Sequence, residues 1–187
     1  MTLVEKAMKR SDRVLLFVSL FGVIVVVAAF VLSMNYYKNY FGGPFEANSQ
    51  DILAIDTLDG LDEYYLTVTG DDAADTGYQL FEVSDSGART LKANYHALLV
   101  GDKFLLVKAP VDVEEPQLTY TGSLVSIPDD VQRDVIADIE RDFPRLKGQF
   151  LPYMLTTDDF KISGTIGLIV GGIVLLLSLY GVITWLR

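Results

Sequence analysis

Val14-Leu-Leu-Phe-Val-Ser-Leu-Phe-Gly-Val-Ile-Val-Val-Val-Ala-Ala-Phe-Val-Leu-Ser-Met34 runs for 21 residues without a charge, and Ile162-Ser-Gly-Thr-Ile-Gly-Leu-Ile-Val-Gly-Gly-Ile-Val-Leu-Leu-Leu-Ser-Leu-Tyr-Gly-Val-Ile-Thr-Trp-Leu186 for 25. Crossing a bilayer core takes roughly 20 residues at ~1.5 Å each, so each stretch is expected to span as a helix. Neither contains Asp, Glu, Lys, Arg, His, Asn, Gln or Pro. A regular helix therefore satisfies every backbone polar group, and nothing ionisable sits at mid-membrane to carry a proton or an ion.

Working outward, residues 1–13 carry Lys6, Lys9, Arg10 and Arg13 against Glu5 and Asp12. Basic flanks stay on the cytoplasmic side, which puts this tail and Arg187 in the cytoplasm and the middle of the chain outside. Cleavage of a signal peptide after Val27-Ala28-Ala29 is the rival reading. Against it, apolar character continues through Phe30-Val31-Leu32, and Tyr36, Tyr37, Tyr40 and Phe41 form an interfacial aromatic cluster that suits an uncleaved span. Phe160, Lys161, Tyr180 and Trp185 mark the second span in the same way.

The segment 36–161 holds 10 Lys/Arg against 23 Asp/Glu, a net charge of −13. Such a domain is a poor partner for nucleic acid, whose phosphates need a basic face. Cysteine is absent and histidine occurs once, at His96, so disulfides, thiol nucleophiles, thiolate metal sites and polyhistidine sites drop out. No cofactor or metal site is expected. Asn-x-Ser/Thr is also absent, which together with the missing cysteines favours a bacterial plasma membrane.

Along the domain, Gly42-Gly43-Pro44 breaks the first helix and Ile52–Ile55 reads as a first strand. Tyr64–Thr69 and Tyr78–Val83 follow as strands, separated by a turn at Gly70-Asp71-Asp72. Tyr95–Val100 and Lys103–Lys108, joined by Gly101-Asp102, read as a hairpin with a type II′ turn. After the Pro-bounded acidic loop Asp112–Pro116, the alternating run Leu118–Ile127 makes another strand, in which Gly122 suggests a bulge or bend. The helix at 128–143 opens with Pro128 and Asp129-Asp130, and carries one apolar stripe of Val131, Val135, Ile136, Ile139 and Phe143. Pro144 ends it, and a last strand, Phe150–Leu155, leads into the second span. The expected organisation is a tail at 1–13, spans at 14–34 and 162–186, and a domain at 35–161. The fold class is membrane α+β: two transmembrane helices flanking a small β-rich sheet or barrel with one amphipathic covering helix.

Leu151-Pro-Tyr-Met-Leu-Thr-Thr-Asp-Asp-Phe160 running into an apolar helix resembles bacterial two-span membrane proteins of uncharacterised function. So do Tyr95-His-Ala-Leu-Leu-Val-Gly-Asp-Lys-Phe-Leu-Leu-Val107 and Thr121-Gly-Ser-Leu-Val-Ser-Ile-Pro128. The layout and the Tyr-x-Leu-Thr-x-x-Asp-Phe portion are also similar to the beside-membrane domain of two-span mitochondrial ubiquitin ligases. Ligase chemistry there belongs to a cysteine-rich RING module, and this chain has no cysteine. Both resemblances therefore imply architecture and no reaction.

Two carboxylate clusters, Asp56/Asp59/Asp62/Glu63 and Asp71/Asp72/Asp75, lack the alternating ligand positions and closing glutamate of a calcium loop and read as solvated turns. His96 sits in a strand-like run without a visible partner and reads as an ordinary strand residue. Nucleophile-elbow, phosphate-loop and dinucleotide motifs do not occur. Small residues recur at Ser163, Gly167 and Gly171 in the second span and at Ala29 and Ser33 in the first, the spacing of a helix-packing face serving the two spans or another subunit. The function expected is a non-enzymatic, membrane-anchored scaffold or accessory subunit, with membrane lipid and a protein partner or a second copy as its contacts. A ligand- or cation-sensing domain and an Asp/Glu hydrolase are the alternatives.

Overall fold

The computed structural model describes residues 3–186, with side chains from residue 13 onward. The side chains of Lys6, Lys9 and Arg10, on which the expected orientation rests, lie outside the described residues. The chain divides into two compact units, the long helices at its two ends and the segment Asn39–Phe160.

The first unit is formed by α1 (Leu3–Leu32), the first half of α2 (Met34–Gly42) and nearly all of α6 (Phe160–Leu186). Hydrogen bonding passes through Ser33 without a break, Ser33 N–H donating to Ala29 O and Tyr37 N–H to Ser33 O, each at 3.0 Å. Arg13–Leu32 and Phe160–Leu186 are long and apolar enough to cross a membrane. The two helices run antiparallel, and their closest approaches are reciprocal: a β-carbon on Gly22 would strike Ser178 Oγ, and one on Gly181 would strike Ser19 Oγ. Both helices carry the same Ser-x-x-Gly spacing, so each serine fills the notch left by the other helix's glycine. Small residues permit such approach where packing, not hydrophobicity, holds helices together.

The second unit is built on one mixed, seven-stranded sheet: β1 (Phe45–Ala47), β2 (Tyr65–Thr69), β3 (Asp72–Val83), β4 (Arg89–Val100), β5 (Lys103–Pro110), β6 (Thr119–Ser126) and β7 (Phe150–Thr156). Their spatial order is β1-β2-β6-β7-β5-β4-β3. The β1–β2 and β5–β7 pairs are parallel and the other four are antiparallel. The hairpin β4–β5 has the expected register, Val100 facing Lys103. Gly101 takes φ +62°, and no described non-glycine residue has positive φ, the pattern of a type II′ turn.

The sheet curls. β2 and β3 lie near opposite ends of its order, yet only Gly70 and Asp71 separate them in sequence. There Gly70 N–H donates to Leu118 O at 2.9 Å and Asp71 N–H to Leu99 O at 2.8 Å. A β-carbon on Gly70 would lie 2.6 Å from Leu98 and from the Leu99 carbonyl, so this corner requires glycine. The inner face holds the larger core, with Leu66, Val68, Leu98, Leu105, Val107 and Leu155 among its buried residues.

Several expectations change. Ile52–Ile55 is not a strand: Ser49–Leu53 forms the short helix α3. Asn48 accepts from Gln50 N–H and Asp51 N–H, while Asp51 accepts from Asn48 N–H, a capping box that drives Ile52 into the core. Gly122 lies in an unbroken register opposite Leu66. It is not a bulge; a β-carbon there would meet the Thr156 carbonyl oxygen, so the strand needs glycine for close backbone approach. Asp72 belongs to β3, not to a turn, and the strand starts six residues before Tyr78.

The covering helix comprises α4 (Asp129–Val131), a π-helical turn (Gln132–Ile136) and α5 (Ala137–Asp142). Val131, Val135, Ile136 and Ile139 are buried against Tyr95, Leu106 and Met154 on the outer face of the sheet. Phe143 drops out of the expected stripe and is 58% exposed. The cause is Pro144, which disfavours helical geometry in the residue before it; Phe143 takes φ −125°, ψ 76° and leaves the helix.

Candidate functional site

The inner face carries polar residues in one place. In the β3–β4 pair Asp75 stands opposite His96 and Gln79 opposite Asn94, with the register shifted between Asp75 and Gln79. Directly opposed residues point to the same face, so these four side chains share the inner face, with His96 and Asn94 buried and Asp75 and Gln79 exposed. The shift is made by Thr76 and Gly77: Gly77 has φ +74°, its N–H donates to Asp75 Oδ1 at 2.9 Å, and Thr76 Oγ1 donates to Tyr95 O at 2.5 Å. The irregular stretch re-aims the edge strand beside the polar group, a common use of bulges.

His96 is fully buried. Its Nδ1 lies 2.7 Å from Tyr120 Oη, which accepts from Gln117 N–H at 2.7 Å. Tyr120 belongs to β6, which two strands separate from β4 in the sheet order, and only the curl brings the rings together. Burial pushes the imidazole pKa down, opposed by the Asp75 carboxylate and the Glu114 carbonyl, both of which favour a proton on the ring. Burial likewise pushes the Tyr120 phenol up, opposed by the Gln117 N–H and assisted by Asp75. The pair is thus held neutral. His96 Nε2 makes no hydrogen bond of good geometry among the described residues, and the Glu114 backbone carbonyl is the acceptor that acts on the ring from the loop.

The acidic loop between β5 and β6 closes over these residues. Asn94 Nδ2 donates to Val113 O at 3.1 Å, Gln79 Nε2 donates to Asn94 Oδ1 at 3.0 Å, and the Gln117–Tyr120 bond holds the loop's far end. Between them lies a hollow of about 390 Å³ whose walls include Asp75, Gln79, Asn94, Val111 and Glu114. Its size falls within the range of small-molecule sites.

The sequence singled out other residues as well. Gly171 and Ser33 are half-buried on the helices of the first unit, whereas Ser163, Ala29 and Gly167 are exposed. A β-carbon on Gly167 would lie 3.1 Å from Tyr37 Oη, and one on Gly171 would lie 3.9 Å from Val26. The tightest approaches between the two helices fall at Ser19, Gly22, Ser178 and Gly181 instead, where the spacing is three residues and not four. Asp56, Asp59, Asp62 and Glu63 lie exposed in the loop before β2. Asp71, Asp72 and Asp75 do not converge: Asp71 Oδ2 accepts from Ser49 Oγ and Gly101 N–H, and Asp72 Oδ1 accepts from Ala73 N–H. Among the described residues no three His, Cys, Asp or Glu side chains form a metal-binding group.

Tyr120, Asn94, Gln79 and Glu114 were not recognised from sequence. Alternation placed Tyr120 with Leu124 on one side of its strand, but nothing local links that strand to the one holding His96. No family model, curated protein or solved structure matches the chain.

Proposed function

We propose that the protein is a membrane-anchored accessory subunit that holds an acidic domain at the outer surface of a bacterial plasma membrane for a protein partner. The carrying observation is that both ends of the Asn39–Phe160 unit run into long apolar helices without a linker. At the second junction only residues 157–159 stand between β7 and α6. Connections this short at both ends suit presentation of a surface at the membrane more than a freely reaching domain. Its charge of −13 over residues 36–161 favours a partner with a basic face.

The absence of native cysteine makes the test clean. Thr2→Cys is expected to resist an impermeant maleimide on intact cells and Ser86→Cys, in the exposed β3–β4 turn, to react. Affinity purification of the full chain from native membranes should then recover a stoichiometric second protein, released by salt. The reverse labelling pattern rejects the orientation; recovery of the chain alone rejects the accessory role.

A further inference from the structure

We propose that His96 and Tyr120 form a proton-operated clasp on the acidic loop between β5 and β6: the neutral ring fastens the loop at Gln117, and protonation of the ring unfastens it there. This goes beyond the accessory role and stands whether or not that role holds.

The wiring follows from counting donors. Tyr120 Oη accepts from Gln117 N–H at 2.7 Å and lies 2.7 Å from His96 Nδ1. The Glu114 carbonyl acts on the same ring from the loop, and with Nδ1 taken by Tyr120 it is Nε2 that faces it. A carbonyl only accepts, so Nε2 carries the proton of the neutral ring and Nδ1 is left as an acceptor. The single phenolic proton of Tyr120 goes to Nδ1. Donation thus runs in one direction, from Gln117 N–H to the phenol and from the phenol to the buried ring.

A second proton has no place in this wiring. Imidazolium donates from both nitrogens, which sets Nδ1–H against a hydroxyl that already receives the Gln117 N–H. Tyr120 Oη can take both only by turning its own proton away, and its two partners are then both donors. Tyr120 is buried, so the stranded hydroxyl proton must find water or an acceptor. Withdrawal of Gln117, which is exposed and outside the strands, admits water to the phenol and removes the conflict. The neighbouring anchors do not depend on the ring's charge: Asn94 Nδ2 still donates to Val113 O, and Gly70 N–H to Leu118 O. The part released is therefore the short span between Val113 and Leu118.

The groups around the ring come from four elements. β3 brings the exposed Asp75 carboxylate, which favours the imidazolium, and β6 brings the Tyr120 phenol. β5 sets apolar Val107 opposite His96. The loop brings the Glu114 carbonyl and the exposed carboxylates Asp112, Glu114 and Glu115. Asp75 and the Glu114 carbonyl let the ring accept a proton in acid, while the Tyr120 contact is the one that cannot accommodate it.

The absence of native cysteine allows a single nitroxide on Glu115→Cys in the full chain, held in lipid nanodiscs and read by electron paramagnetic resonance from about pH 7.5 to about pH 4.5. The mobile fraction of the label is expected to rise about threefold or more in acid, reversibly, with a midpoint below about 6.5 and above the carboxylate range near 4. In a His96→Gln background that rise should vanish. Tyr120→Phe keeps the ring packing and removes the hydroxyl, so there the label should already be mobile at neutral pH and should not respond to acid. The carboxylates are the same in all three backgrounds, which leaves His96 as the source of any difference. If His96→Gln loses cooperative melting, Tyr120→Phe decides alone. A label unmoved by acid in the native background, an acid response retained in a folded variant, a label still restricted at neutral pH in Tyr120→Phe, or a midpoint in the carboxylate range would each overturn the proposal.

Discussion

His96 sets the sign of one pH response. In the unfolded chain its ring titrates near the ordinary 6.5, and in the fold burial holds it lower. Between those two values the unfolded chain binds the extra proton, so the contribution to stability is complete above about pH 6.5 and is lost as pH falls through the folded pKa. The Asp75 carboxylate from β3 and the Glu114 carbonyl from the loop oppose this without reversing it. Melting temperatures measured at about pH 7.5 and pH 5.5 should therefore fall more for the native chain than for His96→Gln. Asn39 is equally buried. Its Oδ1 accepts from Tyr64 N–H and Tyr65 N–H at 2.8 and 3.0 Å, and its Nδ2 donates to Asp62 O at 2.8 Å. Asn39→Ala strands backbone groups at the start of β2, and denaturant unfolding should report a loss on the order of 3 kcal/mol. At the surface, Asp71 joins α3 to the β4–β5 turn through Ser49 and Gly101. The Gly101 N–H and then the Ser49 hydroxyl hold its carboxyl below the ordinary value, so its contribution is present above about pH 4 and disappears in acid. Asp71→Asn should lower the melting temperature at neutral pH and leave it nearly unchanged in acid, which a solvated turn would not do.

At the scale of elements, helix pairing in the first unit depends on two notches. Gly22→Leu and Gly181→Leu each drive a side chain into the opposing serine, whereas Gly172 has open space around it. Overpacking of this kind costs about 1–3 kcal/mol. Thermal unfolding of the purified chain should show both notch variants weakened and Gly172→Leu close to native, all three inserting normally because each stays apolar. Elements governed by local chemistry were legible from sequence. Charge-free runs, the Gly-first turn at Gly101 and the Pro128 start of the covering helix each carry their signal within a few residues. α3 was misread although its signal was also local: Asn48 and Asp51 form the capping box, but Ile52-Leu53-Ala54-Ile55 has the apolar content of a buried strand. Five residues are too few for periodicity to decide.

At the scale of the molecule, what sequence could not supply was any relation created by curvature. The meeting of His96 with Tyr120 across two intervening strands, and the corner at Gly70, arise from the way all seven strands wrap. At Phe143 the helical spacing outweighed a local signal, Pro144, whereas the neighbour that makes Gly122 necessary, Thr156, comes from another strand and is invisible in the local sequence. The hollow belongs to the same category: Asp75 of β3 and Glu114 of the β5–β6 loop line it from elements far apart in sequence.

Asn39 and Phe160 open and close the second unit, and both attach to the same dipeptide. Asn39 binds the N–H groups of Tyr64 and Tyr65, and the ring of Phe160 stacks on Tyr65 at 4.5 Å and meets Tyr64 edge-on at 5.8 Å. Entrance and exit of the fold are therefore neighbours, which makes Asn39–Phe160 a portable cassette. Ends that already meet cost little to join, so the excised segment closed by a short Gly-Ser linker should fold with cooperative unfolding and native amide dispersion. Spliced between the helices of an unrelated hairpin, it should carry its fold with it; failure of the circularised segment to fold would mean that the long helices act as chaperoning struts as well as anchors.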